Sequence, residues 1–458
     1  MENEKSFDDI FAEILTLVEE KHYKHARDEL LKLNEVDVAE ILEEIAEKMG
    51  IEKAITMFRA LPKNVSVEVF AYLSIEEQLQ IINEITEKET QFILDELSFD
   101  DMIDVLEELP ANVVDKILEK TPKGKRKLIN TFLNYPDDCA GSLMTPEYIS
   151  LRKDMTVAEA LAYIKKEGMD SETVYTCYVK DAGRKLEGII SLRKLVISES
   201  EEKVGDLMQE DFVCVNVYDG REEASEAFKK YGFIAMPVVD TEQRLVGIIT
   251  VDDILDVIEE EVTEDFERMA GVLDSTDMEY MDIGVLRHVR NRFPWLFVLM
   301  LSYMVTGQII KGFEDGLAEM IVLVAYMPML MGTGGNSGAQ SATLIIRGMA
   351  LSEVQLRDAG RVLWKEIRIS FTLGVLLSVL NFARIAWLES EGVLVAITVC
   401  SAMIVIVMSA KTIGSMLPMI AKKVKIDPAL MANPMIASLT DMVSVIVYFM
   451  LARLFLGI

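Results

Sequence analysis

The feature that most constrains how this 458-residue chain folds is a set of long uncharged windows in its carboxyl-terminal part. A helix that crosses a bilayer needs about 20 apolar residues, so these windows predict five transmembrane helices. Their length and number argue against the alternative, which is a set of buried helices in a large soluble protein. The windows are residues 293–310, 320–346, 369–383, 392–410 and 428–452, the last of which contains Asp441 as its one charge.

The charges between these windows alternate in sign and predict the orientation of the helices. Basic residues precede the first window and follow the second and the fourth, whereas the other two loops are largely acidic. Because lysine and arginine are retained on the cytoplasmic side, the amino-terminal region is expected in the cytoplasm and the carboxyl terminus outside the cell membrane. The basic positions are Arg287, Arg290, Arg292, Arg347, Arg357, Arg361, Lys365, Arg368, Lys422, Lys423 and Lys425.

The negative charge of the chain is concentrated before the first window. Of 46 Lys+Arg and 76 Asp+Glu residues, 31 and 65 fall in residues 1–280, which gives −34 there and +4 in residues 281–458. Such an acidic region repels phosphate, so nucleic acid is not an expected partner. The four cysteines form no C-x-x-C pair and no signal peptide is visible, so we expect neither a zinc site nor disulfides.

Two kinds of soluble structure are predicted in the acidic region. Residues 1–136 have helical periodicity, as in VDVAEILEEIAEKM, and predict an all-α superhelical domain of stacked helices. Residues 137–200 and 201–262 repeat one order of strand, helix, strand, strand and helix. These two copies resemble a pair of CBS (cystathionine-β-synthase type) domains, which have an α/β fold and usually act as regulatory sensors.

The second copy contains residues that match the nucleotide-binding pattern of CBS domains. Thr250 and Asp253 in GIITVDD stand at the positions that bind the ribose of adenine nucleotides in that family. The first copy has Ser191 and then Lys194 where the acid would be. The resemblance implies at most one good site, for ATP or a related adenine nucleotide, and leaves open whether nucleotide binds.

Asp441 is an acidic residue midway along the fifth predicted span. A carboxylate at the centre of a bilayer costs about 2.5–3.5 kcal/mol on insertion scales, so it is expected to face protein or a water-filled path. Asn433, Ala437 and Asp441 follow one another at intervals of four and share a helix face. Pro434 frees a backbone carbonyl of the preceding turn. Oxygen ligands of this kind suit a hard divalent cation, and a hydrogen-bonded residue joining two helices is the alternative.

The stretch PMLMGTGGNSGAQSA places glycines and amides in the middle of the second predicted span. Non-helical backbone at membrane depth is tolerated only where it is buried in protein or lines a wet cavity. The glycines would let the helix loosen or approach a neighbour closely, and Asn336 and Gln340 add side-chain oxygens at i,i+4. The cluster indicates pore lining, with tight packing of small residues as the alternative.

The order of these parts resembles the MgtE family of magnesium transporters and channels. That order is an acidic helical domain, a CBS pair, an acidic connecting (plug) helix at residues 263–286, and a transmembrane domain of five helices at 287–458. PMLMGTGGNSGAQSA and NPMIASLTD are similar to the family's second-span and pore-acid segments. The resemblance implies a homodimeric Mg²⁺ channel with Asp441 as the pore acid and Asn433 and Ala437 beside it. No enzymatic activity is expected, and no G-x-x-x-x-G-K-[ST] motif occurs.

The same resemblance implies that intracellular Mg²⁺, bound between acidic surfaces, closes the pore. Acidic faces repel one another, so bound cations would favour the compact, closed state. Taken alone, the acids of the connecting helix are also typical of a solvated linker. The main alternative function is a membrane-anchored CBS nucleotide sensor without transport activity, and a CBS-bearing anion channel ranks below it. The implied regulatory ligands are Asp253, Asp256, Glu261, Glu264, Asp265, Asp100, Asp101 and Asp104.

Overall fold

The chain forms two compact units, Met1–Ile258 and Glu259–Ile458, and the division falls within one long helix. Short helices and two small sheets make up the first unit, and long apolar helices make up the second. The computed structural model describes residues 7–272, 280–281, 283–313, 321–388, 392–431 and 433–457.

Short helices that recur at a constant interval form the amino-terminal part of the first unit. From α4 to α9 each helix has 10 residues and is followed by one buried residue in extended conformation. The next residue is Pro, Ser or Thr, which suits the start of a helix. These buried linking residues are Leu61, Leu73, Ile85, Leu97, Leu109 and Thr121. The helices are α1 (Phe7–Glu19), α2 (Tyr23–Leu30), α3 (Glu35–Met49), α4 (Ile51–Ala60), α5 (Lys63–Tyr72), α6 (Ile75–Glu84), α7 (Glu87–Glu96), α8 (Phe99–Glu108), α9 (Ala111–Lys120) and α10 (Lys123–Phe132).

Contacts between every second helix build the stack. Helix α3 packs on α5, α4 on α6, and α6 on α8. Apolar side chains such as Ile41, Ile45 and Phe70 are fully buried between them. This is the superhelical arrangement that the sequence predicts.

Two three-stranded sheets with the same topology follow. In each sheet the first two strands are parallel and the last two antiparallel. Backbone hydrogen bonds from Leu186 to Gln243 and from Leu245 to Arg184 join the two copies. The repeat therefore has the strand and helix order predicted for a CBS pair. The elements are β1 (Tyr148–Leu151), α11 (Val157–Glu167), β2 (Thr173–Lys180), β3 (Leu186–Ser191), α12 (Leu192–Ile197), α13 (Val204–Leu207), β4 (Val215–Asn216), α14 (Arg221–Tyr231), β5 (Ala235–Val239), β6 (Leu245–Thr250) and α15 (Val251–Ala270).

Five long helices, counted over the described part of the second unit, form its bundle. Four of them are long and apolar enough to cross a membrane. The other, α17, is 29 residues long, but its glycines, serines and amides lower its hydropathy. Together with the helical part and the CBS-like pair, the bundle confirms the predicted fold class. The helices are α16 (Val285–Lys311), α17 (Val322–Ala350), α18 (Ala359–Leu388), α19 (Val393–Lys423) and α20 (Asn433–Leu456).

The helices differ from the uncharged windows in two ways. Helix α18 begins at Ala359, so the basic residues Arg361, Lys365 and Arg368 lie within a helix and not in a loop. The predicted connecting helix, residues 263–286, is described only in part, because α15 ends at Ala270 and residues 273–279 and 282 lie outside the described residues. Charge alone therefore located the apolar centre of each helix but not its ends.

Candidate ion pathway and regulatory acids

Helix α17 is continuous through the glycine-rich stretch and packs very closely on α19 and α20. A Cβ added to Gly338 would lie 2.8 Å from the Ile436 side chain and 3.1 Å from the Ala410 carbonyl oxygen. A Cβ added to Gly414 of α19 would lie only 2.1 Å from the Gly338 carbonyl oxygen. The backbone is not loosened, so the glycines serve the close approach of helices, one of the two roles that the sequence left open.

The opposite face of α17 is exposed and contains both predicted amides. Gly332, Asn336 and Gln340 are exposed and follow one another at i,i+4, while Ser337 and Ser341 face the bundle and are buried. Exposed amides are expensive in hydrocarbon, so this face needs protein or water against it.

Asp441 lies on α20 and is half-buried. The hydroxyl of Tyr303 on α16 donates a hydrogen bond to its carboxylate. Among the described residues, no lysine, arginine or histidine is in salt-bridge contact with Asp441. The side chain thus combines partial burial with a neutral hydroxyl partner.

The other predicted pore residues of α20 have different surroundings. Ala437 lies against Gly335 of α17, and its carbonyl oxygen accepts a hydrogen bond from the Thr440 hydroxyl at 2.9 Å. Asn433 is the first residue of α20, and its side chain lies outside what the structure describes. Ala437 therefore packs against the glycine-rich helix α17.

A cluster of acids forms in the first unit where α8 and α15 begin. Burial, followed by the charge of Asp100, raises the pKa of Asp253 to about 8. Burial also raises the pKa of Asp101 to about 6, with further contributions from Asp100 and Asp252. Glu172, just before β2, has its pKa raised to about 7 by burial and then by the charges of Asp100 and Asp252. These acids therefore destabilise one another's charged forms.

Two of the clustered carboxylates are held by local hydrogen bonds. The Ser98 hydroxyl donates to Asp101 at 2.6 Å, and the Thr250 hydroxyl donates to Asp253 at 2.6 Å. One oxygen of Asp100, Oδ1, is buried and has no hydrogen-bond partner. Within the described ranges, no three His, Cys, Asp or Glu side chains are close enough to hold a metal ion as they stand. The cluster is thus a set of closely spaced acids and not a finished metal site.

One further predicted acid belongs to the cluster, and the others lie elsewhere. Burial, followed by the charges of Asp101 and Asp100, raises the pKa of Asp104 to about 7, one turn along α8. Asp256 on α15 is exposed. Glu264 forms an ion pair with Arg268, which also binds Asp427 at 2.8 Å in the segment before α20. Glu261 and Asp265 lie on the same part of α15, half-buried and exposed respectively. The negative charge of Glu264 is therefore already paired with the Arg268 guanidinium.

Three participating residues were not found from the sequence. Asp252 stands beside Asp253 in the same VDD run, which was a usable signal. Glu172 comes from a loop distant in sequence, and nothing marked it. Tyr303 is a polar hydroxyl inside the first apolar window, which could have identified it as a partner for an intramembrane acid.

Comparison with known proteins identifies the family of this chain. Residues 327–451 match the MgtE divalent cation transporter family, 33–138 match the MgtE intracellular N domain, and 140–200 and 204–260 match the CBS domain. The magnesium transporter MgtE of Thermus thermophilus is 40% identical over 72% of this chain and 73% of its own length. The chain belongs to the MgtE family.

Further relatives agree with membership of the MgtE family. The magnesium transporter MgtE of Bacillus subtilis is 30% identical over 98% of both chains. The crystal structure of the cytosolic domain of the Mg²⁺ channel MgtE in complex with ATP is 33% identical, with a TM-score of 0.50, over 54% of this chain and 99% of that one. The soluble part of a magnesium transporter is 27% identical, with a TM-score of 0.51, over 56% and 99%. The resemblance to the MgtE family is confirmed.

Proposed function

We propose that this MgtE family member is a Mg²⁺-selective channel that carries Mg²⁺ into the cytoplasm down its electrochemical gradient. The observation that carries the proposal is the half-buried Asp441 carboxylate on an apolar helix, with the Tyr303 hydroxyl as its partner. Mg²⁺ gives up water reluctantly and is usually held by one or two carboxylates plus retained waters. A single acid among carbonyls and amides suits a hydrated ion.

The membrane potential supplies the driving force in this proposal. Moving one charge across 100 mV is worth about 2.3 kcal/mol, so a divalent cation gains about 4.6 kcal/mol. The proposed orientation places the amino-terminal domains in the cytoplasm and the carboxyl terminus outside the plasma membrane. We retain the five predicted segments, 1–136, 137–200, 201–262, 263–286 and 287–458, as the proposed domain boundaries.

The exposed polar face of α17 supports a homodimer. Asn336 and Gln340 lie on that face in the isolated chain. A second copy related by a two-fold axis would cover it and place two equivalent faces around one path. In this arrangement the two Asp441 side chains, with Ala437 and Asn433 beside them, would line the same path as Asn336 and Gln340.

Intracellular Mg²⁺ is proposed to close the channel through the acidic cluster. The raised pKa values of Asp101, Asp253 and Glu172 show how unfavourable their joint ionisation is without a cation. A divalent ion relieves this repulsion and so favours the conformation that brings the acids together. Asp100, with its unpartnered buried oxygen, would supply a further ligand. Asp104, Asp256, Glu261, Glu264 and Asp265 complete the proposed regulatory set.

Adenine nucleotide is proposed to bind the second CBS copy. Thr250 and Asp253 are joined by a 2.6 Å hydrogen bond at the junction of β6 and α15. The similar MgtE cytosolic domain was solved with ATP, which supports ATP as the ligand to test. Calorimetric titration of the purified protein with ATP, compared with Asp253→Asn, checks the assignment.

Transport is tested most directly by removing the intramembrane acid. Asp441→Ala should abolish Mg²⁺ uptake into proteoliposomes and growth rescue of a strain lacking magnesium transporters, at unchanged expression. Glu353→Ala removes an exposed acid between α17 and α18 and serves as the matched control, with uptake retained. If Asp441→Ala transported Mg²⁺ like the control, the proposed pathway past Asp441 would be wrong. If the parent protein itself showed no Mg²⁺ uptake, the nucleotide-sensor alternative would be favoured.

A further inference from the structure

A buried acid and a buried base are linked through one serine inside the helix bundle. The Lys411 ammonium on α19 donates to the Ser341 hydroxyl on α17 at 3.2 Å. Ser341 in turn donates to Oε2 of Glu366 on α18 at 2.7 Å. Lys411 is 4% exposed, Ser341 1% and Glu366 8%, so the network is closed to solvent. It joins three helices through one hydroxyl.

Such a network is stable only while all its members are present. A charged group in a low-dielectric interior needs a partner, and removing one member of a buried pair leaves the other uncompensated. Ser341 uses its hydroxyl both as acceptor and as donor, so alanine at this position breaks both bonds at once. Intramembrane ionisable residues of this kind are rare and indicate a functional role by default.

The position of the network relates it to the exposed face of α17. Ser341 follows Gln340 directly, so in an α-helix their side chains point about 100° apart. Gln340 is exposed, whereas Ser341 faces the bundle and is anchored there. Three residues after Lys411, the backbone of Gly414 packs closely on that of Gly338 in α17. The anchor therefore restrains both the distance of α17 from α19 and its rotation about its own axis.

We propose that Lys411, acting through Ser341 and Glu366, is a positioning residue that sets the rotation of α17. In this rotation Asn336 and Gln340 face away from the bundle, where the proposed ion pathway lies. The inference rests on the proposed function where it is tested by Mg²⁺ uptake. Its test by thiol labelling does not depend on transport. Lys411 neutralises Glu366 and is not itself a ligand of the transported ion.

Thiol labelling measures the rotation directly. Asn336→Cys and Ser337→Cys, introduced singly, are compared for reaction with a membrane-impermeant thiol reagent, with the parent chain and its four native cysteines as background. With Lys411 in place, the thiol introduced at position 336 is expected to label much faster than the one at position 337. With Lys411→Met, labelling at position 336 should slow and labelling at position 337 should rise. An unchanged ratio, or a uniform rise at both positions, would overturn the proposal.

Flux measurements then separate positioning from general packing. Lys411→Met should lower the maximal Mg²⁺ uptake rate by about tenfold or more, since Glu366 is left unpaired, and Lys411→Met with Glu366→Gln should recover most of it. Ser341→Ala should also lower uptake. Ser378→Ala removes a buried hydrogen bond between α18 and α19 that does not involve α17, and should have little effect.

The outcomes distinguish this inference from the proposed function. The proposal would be refuted if the variant with both Lys411→Met and Glu366→Gln took up Mg²⁺ no faster than Lys411→Met alone. It would also be refuted if Ser378→Ala lowered Mg²⁺ uptake as much as Ser341→Ala. Failure of the proposed function would instead show as wild-type uptake in Asp441→Ala, and the labelling comparison would remain valid.

Discussion

Gly414→Ala tests whether the close approach of α17 and α19 is essential to the membrane bundle. The added Cβ would lie 2.1 Å from the Gly338 carbonyl oxygen and 2.8 Å from its carbonyl carbon. Non-bonded heavy atoms settle at about 3.5 Å, so the helices would have to separate by about 1.4 Å. Backbone lies on both sides of this contact, so no side-chain rotation can relieve it. We expect a loss at the upper end of the overpacking range, about 3 kcal/mol.

Two other glycines provide a graded series for the same experiment. A Cβ at Gly338 would lie 2.8 Å from Cγ2 of Ile436 and 3.1 Å from the Ala410 carbonyl oxygen, a milder overlap than the one at Gly414. Gly338→Ala should therefore cost about 1–2 kcal/mol. At Gly360, at the start of α18, nothing lies within 4 Å of the added Cβ. Gly360→Ala is the matched control and should be neutral or stabilising by up to about 1 kcal/mol, because alanine favours helix.

The assay is thermal unfolding in detergent followed by size-exclusion chromatography, together with Mg²⁺ uptake in proteoliposomes. The melting temperatures should fall in the order Gly360→Ala, Gly338→Ala, Gly414→Ala, with uptake lost in the last. If Gly414→Ala melted and transported like Gly360→Ala, the helix contact would not be the constraint that the distances indicate.

Three further results are expected. Without divalent cations, the protection from hydrogen exchange at the start of α8 and α15, corrected for the intrinsic base-catalysed rate, should fall as pH rises from about 5 to 8. Acids with raised pKa, such as Asp253 at about 8, bind more protons in the folded state, so they lose stability as they ionise. Mg²⁺ should increase the protection more at pH 8 than at pH 5.5. An equal increase at both pH values would contradict the proposed link between ionisation of these acids and Mg²⁺ binding. Thr86→Ala removes a capping box with Glu89 and should lower stability by about 1 kcal/mol in chemical denaturation. Arg268→Ala should increase protease cleavage after α15, since its ion pair with Asp427 is lost.

The helical repeat shows how far sequence reasoning reached in the first unit. Helical periodicity, as in VDVAEILEEIAEKM, predicted stacked helices. The full repeat of 12 residues went unnoticed because its linking positions vary among Leu, Ile and Thr, and the residues after them among Pro, Ser and Thr. What these residues share is burial in an extended conformation, a property that residue identity conveys only weakly.

The acids show where sequence reasoning stops. Asp100, Asp101 and Asp253 were named from a family resemblance, and the fold places them in one cluster. Glu172 joins them from a loop about 70 residues or more away from either helix, a distance across which no periodicity carries information. Lys411 and Glu366 were missed for a different reason. Lys411 directly follows the window 392–410, and Glu366 lies between Lys365 and Arg368 in a segment interpreted as a basic loop.

The membrane bundle gives its two described buried or half-buried acids different partners, and this difference has a chemical consequence. Glu366 accepts a hydrogen bond from Ser341, which itself accepts one from the Lys411 ammonium. A positive charge of the chain therefore lies close to Glu366 and lowers the attraction of this carboxylate for a divalent ion. Asp441 is met by a neutral hydroxyl, which orients the carboxylate without cancelling its charge. In the proposed channel a permeating cation would therefore gain most from Asp441, while Glu366 would hold the helices together without trapping the ion. Exchanging these partners would convert the proposed conduction site into a structural one, so the location of the buried lysine is as important to the proposed pathway as the location of the acid.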